Sequence, residues 1–373
     1  MRKPFSFTVD KTEMIKGVAI ILMLFHHFFA FPEWFVTGVS YIGIPLRANT
    51  LEFVIGKFGH ICVALFAFLT GYGLFFSYRS GNIVKKTFRR GTIFLLGYFL
   101  VLFGVAIPIN VALGKTSDLS FKFILMNMTA YNHDLVPFAW YVWFYIALIV
   151  TLPFFYKAMS AHAFVTLPAF LLLPGIANFF LAKVASSDFW VCTAVNFAMQ
   201  YFLWVTCALS GLCFAKYKIF DIFEGAFEKL GQFKYFGAVV LMLILMYFRA
   251  YKSETLANYF TFDCIYAPIF IFFATHILLL LPGVFGDFLK FMGKHSMNIW
   301  FLHSLFFFRT SELMKYAYAP RVSILIVMWV IILCLPISSA LNYVSDLLTK
   351  KRSKTVPSIK STENSGERTF QKV

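Results

Sequence analysis

Residues 12–34, T-E-M-I-K-G-V-A-I-I-L-M-L-F-H-H-F-F-A-F-P-E-W, form an apolar run long enough to cross a bilayer, which takes about 20 residues of helix. Runs of the same kind recur along the chain. Spans are expected near 13–36, 53–78, 91–113, 138–156, 163–182, 189–215, 235–252, 259–281, 296–314 and 322–348. The sequence therefore predicts an all-α, polytopic transmembrane helix bundle of about ten spans.

Composition agrees, with 60% hydrophobic and 13% charged residues and a mean hydropathy of +0.76. A net charge of +16 would suggest nucleic acid in a soluble protein, but in a membrane chain it follows from basic loops on one side. Nucleic acid is set aside on that ground. With the N-terminus inside, 23 of the 33 basic residues fall on the cytoplasmic side and 10 outside. Both termini are thus expected in the cytoplasm, as an even number of spans requires. The six cysteines lie scattered in apolar segments without a C-x-x-C pair, so neither zinc nor a disulfide framework is expected. The first run has no small-residue cleavage site and is expected to stay as a helix. Residues 349–373 are polar and basic, and are expected to form a disordered cytoplasmic tail after a transmembrane domain spanning 1–348.

The first run also carries Lys16 and the pair His26-His27, and ionisable residues within a span point to function. Eleven residues make about three turns of helix, so Lys16 and His27 share a face roughly 16 Å apart along the axis. With Lys16 at the inner headgroups, His27 is expected near mid-membrane, where a neutral imidazole can accept a proton. Packing alone explains such histidines equally well. Four further stretches carry polar chemistry. The second span ends in F-L-T-G-Y-G (68–73), with small residues for close helix approach and the Thr70 and Tyr72 hydroxyls beside them. K-K-T-F-R-R (85–90) is a topology signal or a phosphate clamp, since guanidinium groups bind phosphate bidentately. H-D-L-V-P-F-A-W-Y-V-W-F-Y (133–145) offers an interfacial aromatic belt, or a sugar platform of Trp140 and Trp143 with His133 supplying a polar contact. F-M-G-K-H-S-M-N-I-W-F-L-H (291–303) is expected to start a helix at Ser296, after a break at Gly293, and to carry a second buried histidine, His303.

Taken together, these features resemble the acyltransferase 3 family of integral membrane acyltransferases. The resemblance runs over essentially the whole chain and rests on Lys-x10-His, T-G-Y-G, the basic cluster, W-F-Y-I-A-L-I-V-T-L-P (143–153) and G-K-x-S-x-x-I-W-x-x-H (293–303). Many members O-acetylate surface or secreted polysaccharides. The resemblance implies that His27 is the essential histidine, and that Lys16 stands where many members have arginine, losing the bidentate fork. It also places Thr70 where serine is commoner, and matches the family's arginine pair best to Lys86 and Arg89, with Arg90 adjacent. On that basis the expected reaction moves an acyl group, in the first place acetyl, from cytoplasmic acetyl-CoA to a hydroxyl of a glycan or glycolipid in a bacterial plasma membrane. No metal is required. His27, His303 and Tyr72 are the expected catalytic groups, and Lys16, Lys86, Arg89 and Arg90 the expected CoA-phosphate ligands. The pantetheine arm would thread between the first, second and ninth spans. Some members carry an extra-cytoplasmic esterase-like domain; without one, final transfer falls to the bundle or to a partner enzyme.

A transporter or flippase for an amphiphile is the alternative, since proton relays use buried histidines too. Against it stands the absence of any inverted-repeat signature. A glycerolipid-type H-x-x-x-x-D acyltransferase is excluded, because no histidine has Asp five positions later.

Overall fold

The computed structural model describes residue 5 and residues 7–46, 48–117, 119–159, 162–184, 188–252 and 255–350. The expected basic tail lies outside them, apart from its first residues. The first helix, α1 (Val9–Phe29), starts at Thr8, whose hydroxyl accepts from the Lys11 amide. It ends at Phe29 rather than near 36, because Pro32 opens a separate turn, Pro32–Trp34. His27 consequently lies two residues from the end of its helix, not at mid-span.

The second pass is broken into α2 (Leu51–Gly59) and α3 (Cys62–Arg79), with His60 and Ile61 at the break. The third, α4 (Ile83–Val101), passes through a π-helical turn at Leu102–Ala106 into α5 (Ile107–Ala112). Beyond them follow α6 (Phe121–Met128), α7 (Trp140–Ala158), α8 (Ala163–Leu181), α9 (Phe189–Tyr217) and α10 (Ile219–Phe227). The chain continues with α11 (Lys234–Tyr251), α12 (Asp263–Leu278), α13 (Gly283–Leu302), α14 (Met314–Ala317) and α15 (Ser323–Lys350). Two short antiparallel hairpins, β1 (Pro45–Leu46) with β2 (Asn49–Thr50) and β3 (Thr255–Leu256) with β4 (Phe260–Thr261), close loops.

Eight helical stretches among the described residues are long and apolar enough to cross a membrane. The shorter α12, with 16 residues, and the 20-residue α13, which carries Asp287, Lys290 and Lys294, bring the passages to about the expected ten. The ninth differs most from expectation. It begins at Gly283, runs unbroken through Gly293 and Ser296, and ends at Leu302.

Loop contacts gather at two ends of the bundle. At the end where α1 begins, Phe5 N donates to Asp221, Lys216 reaches the Met159 carbonyl and Lys290 approaches Asp10. At the opposite end Ile42 bridges Val322, Tyr318 donates to the Phe28 carbonyl and Lys115 pairs with Glu312. These are called below the basic end and the histidine end.

Close helix approach explains several glycines. A Cβ on Gly17 would overlap the Leu289 carbonyl, and one on Gly293 the Glu13 carbonyl, so α1 and α13 cross with their backbones nearly touching. Gly71 and Gly211 do the same for α3 and α9. This is why Gly293, expected to break a helix, sits inside one.

One charge pair is fully enclosed. Arg249 on α11 binds both oxygens of Asp263 at 2.7 and 2.6 Å, and its remaining amino group donates to the Phe58 and Lys57 carbonyls at 2.7 and 3.2 Å. It thereby caps the end of α2, where unpaired carbonyls attract a cation. Removing one partner strands the other's charge. Arg249→Met should therefore cost about 3–5 kcal/mol, while Arg249→Met with Asp263→Leu recovers much of it. Thermal unfolding of the detergent-solubilised protein checks both.

Candidate active site

Near the end of α1 the chain places His27 against His303, which follows the last residue of α13. The two rings stack with centroids 4.9 Å apart, and His303 Nε2 lies 2.9 Å from His27 Nδ1. His303 Nδ1 lies 2.8 Å from the Ile299 carbonyl. A carbonyl only accepts, so His303 carries its proton on Nδ1 and presents a lone pair at Nε2. His27 must then donate from Nδ1. The remaining nitrogen, His27 Nε2, holds the free lone pair. It makes no protein hydrogen bond, and the only fully buried, unpartnered side-chain polar atoms among the described residues are His133 Nδ1 and Asn178 Oδ1. His27 Nε2 is therefore open, and His27 retains 9% exposure against 0% for His303.

Aromatic rings frame this imidazole. Phe138 stacks on His27 at 4.0 Å, Trp34 lies parallel at 6.3 Å and Phe307 is tilted against it at 6.4 Å. Phe31 stacks on Trp34 at 4.0 Å and the half-exposed Phe308 meets it edge-on. Neighbouring His26 points elsewhere: its Nδ1 lies 2.8 Å from the Gly56 carbonyl and its ring stacks on His60 at 4.9 Å. Of the pair, His27 is the one presented for chemistry.

A cavity of about 400 Å³ opens at the basic end between α1, α3, α4, α7 and α13. Its size suits a small-molecule site. Lys16 and Arg90 line it, with Thr70, Ser296, Tyr141 and Tyr145. So does Glu13, which the sequence reading did not single out and whose carboxylate holds Lys16 Nζ at 2.9 Å. The cavity stops short of His27, at Phe66, Tyr141 and Trp300. Trp300 donates its indole proton to the Phe138 carbonyl at 3.2 Å, so one aromatic layer separates cavity and dyad.

Several expected site residues lie elsewhere. Tyr72 does not reach the histidines or the cavity. On α3 the cavity takes Phe66, Leu69, Thr70 and Gly73, whereas Tyr72, about 200° around from Thr70, packs among Phe7, Phe68 and Phe220. Lys86 shares the Arg90 face of α4 one turn nearer the end, but donates to Ser77 O and Ser80 Oγ. Arg89, about 100° away, is exposed. Ser296 lines the cavity from mid-helix and is no N-cap. Trp143 is 41% exposed and stacks on Phe197, and Trp140 packs edge-on to Tyr141. His133 sits in the loop before α7, where burial lowers its pKa from the usual value. The aromatic rings that meet His27 are Trp34, Phe138 and Phe307 instead. Trp34 and Phe138 stood in the stretches already picked out for His27 and for the platform; only the turn after α1 and the loop before α7 turn them inward.

The chain is a multi-pass helical bundle with an open imidazole at one end and a basic cavity at the other. The family model described as an acyltransferase domain, acyltransferase 3, matches residues 11–343. The chain belongs to that family and is a multi-pass membrane acyltransferase. No curated protein and no solved structure matches it.

Exposure separates the two histidines chemically. Diethyl pyrocarbonate should carbethoxylate His27 in the folded protein and spare His303, as peptide mass spectrometry would record; equal labelling of both would contradict the dyad geometry.

Proposed function

We propose that this acyltransferase moves an acetyl group from acetyl-CoA, bound at the basic end, to a hydroxyl of a glycan or glycolipid at the histidine end. The observation that carries this reading is the hydrogen-bond chain from the Ile299 carbonyl through His303 to His27, which leaves His27 Nε2 as the accessible base. The acceptor oxygen attacks the thioester carbonyl as His27 Nε2 takes its proton. The new C–O bond forms, the C–S bond breaks, and the proton passes from His27 to the departing thiolate. His303 is a positioning residue: it fixes the tautomer and the ring plane, and offsets the charge His27 gains by accepting a hydrogen bond from its Nδ1–H.

Arg90, Lys16 and, at the mouth, Lys86 would meet the CoA phosphates, with the acyl end directed inward along Thr70, Ser296 and Trp300. The Trp300–Phe138 layer must open for the thioester to reach His27. Between turnovers the same layer keeps water from the bound thioester. Trp34, Phe138 and Phe308 would carry the acceptor ring, in place of the platform that Trp140 and Trp143 offered as the alternative to an aromatic belt. The basic end would face the cytoplasm of a bacterial cell, as the distribution of lysine and arginine favours.

Purified protein in lipid nanodiscs, given radiolabelled acetyl-CoA and an oligosaccharide acceptor, tests the reading. Ester product should form, and His27→Ala should lower the rate by about 10²- to 10⁴-fold. Uptake of an amphiphile into vesicles without ester formation would instead favour a transporter. Arg90→Met is expected to raise KM for acetyl-CoA about tenfold, the scale of one lost charge-assisted contact, while leaving KM for the acceptor unchanged.

A further inference from the structure

At the histidine end lies a second cavity, of about 460 Å³, that the reaction above does not use. His26, Phe31, Lys57, His60, Arg249 and Lys252 line it, and no carboxylate does among the described residues. The Arg249 charge is already matched by Asp263, so among the described residues the lining's excess charge comes from Lys57 and Lys252. The sequence-based topology assigns this side only 10 of the 33 basic residues, and three of those ten converge on this one cavity. Topology alone does not ask for cations here.

The Lys57 ammonium is also held in place. It lies 5.2 Å from the centre of the Phe31 ring and 5.4 Å from that of Phe53, while Arg249 fixes its backbone through the Lys57 carbonyl. His60 packs edge-on to Trp204 at 5.4 Å and stacks on His26, whose ring centre is 4.9 Å from that of His27. A group bound in this cavity therefore sits one imidazole away from the dyad, at the end opposite the basic cavity. Phe31 belongs to both places, lining this cavity and stacking on Trp34.

We infer that this cavity binds an oxyanion, carboxylate or phosphate, carried by the acceptor. The acceptor is then an acidic or phosphate-linked sugar, and the cavity selects it over a neutral one. This rests on the functional reading above for the word acceptor, but not for the anion site. Lys57 and Lys252 supply the charge, and the rings of Phe31 and Trp34 take the adjoining sugar face.

The test is equilibrium binding to the full-length protein in nanodiscs, read by tryptophan fluorescence with Trp34→Phe as the control for signal origin. Three probes are used: methyl glucoside, methyl glucuronide and glucose 1-phosphate. The two charged probes should bind at least tenfold more tightly than the neutral one. Lys57→Gln should remove about tenfold of that preference and Lys57→Arg restore it, with acetyl-CoA binding unchanged in both as evidence of folding. The stronger of the charged probes tells carboxylate from phosphate. Equal binding of all three probes, or an anion preference untouched by Lys57→Gln with Lys252→Gln, overturns the inference. Because binding needs no turnover, anion selectivity without ester formation would sink the acetyl-transfer reading and leave this site standing. Efficient acetylation of neutral acceptors, unaffected by the lysine variants, would do the reverse.

Discussion

The crossing of α1 and α13 through Gly17 and Gly293 decides the depth at which every reactive group sits. Each glycine admits the other helix's carbonyl, and no larger residue fits at either position. With the backbones locked there, His27 near the end of α1 meets His303 just past the end of α13, 276 residues away in the chain. The same crossing sets Glu13 and Lys16 beside Ser296 and Met297 to wall one side of the basic cavity. The histidine pair and the basic cavity are thus positioned by one contact. A shift of a single turn, about 5.4 Å, would uncouple them.

The tautomer argument needs no charge on either ring. The Ile299 carbonyl accepts the His303 backbone N–H that closes α13 and, with its second lone pair, the Nδ1 proton of the same residue. That choice passes along the pair and ends with a lone pair on the exposed nitrogen of His27. A fully buried His303 cannot exchange protons with solvent directly, so orientation is the role its surroundings permit. His26, one residue earlier, is held by Gly56 in a different direction. Adjacent residues on a helix face about 100° apart, which is enough to give one imidazole to chemistry and the other to the neighbouring cavity.

The spans were legible in the sequence because hydrophobic length is a one-dimensional property, and His27 stood out as an ionisable group in a span, although its place at the helix end did not. The faces of the helices were harder to read. In α3 both the cavity side and the opposite side are apolar or small, so nothing in F-L-T-G-Y-G says whether Thr70 or Tyr72 turns inward. Trp143 illustrates the same difficulty, since an aromatic ring suits the membrane boundary as well as a sugar. Lys86 and Arg89 were grouped with Arg90 by proximity in sequence, yet only Arg90 lies where the α4 face meets the cavity. The break at His60 and Ile61 carries no proline. It depends on Arg249, contributed from nearly 200 residues away, taking up the Phe58 and Lys57 carbonyls.

That arginine also connects the fold to the second cavity. An enclosed Arg–Asp pair adds little net stability over an apolar replacement, because desolvation offsets most of the attraction. Its persistence here is better understood through what it holds. Arg249 spends its donors on Asp263 and on the carbonyls that end α2, and so fixes the turn from which Lys57 and His60 project. A neutral filler would pack as well but would remove the guanidinium from both carbonyls, leaving Phe58 O with the Ile61 amide, and would loosen the break. That change rotates Lys57 away from Phe31 and His60 away from His26. The buried pair is therefore best regarded as the element that keeps a cationic surface next to the dyad.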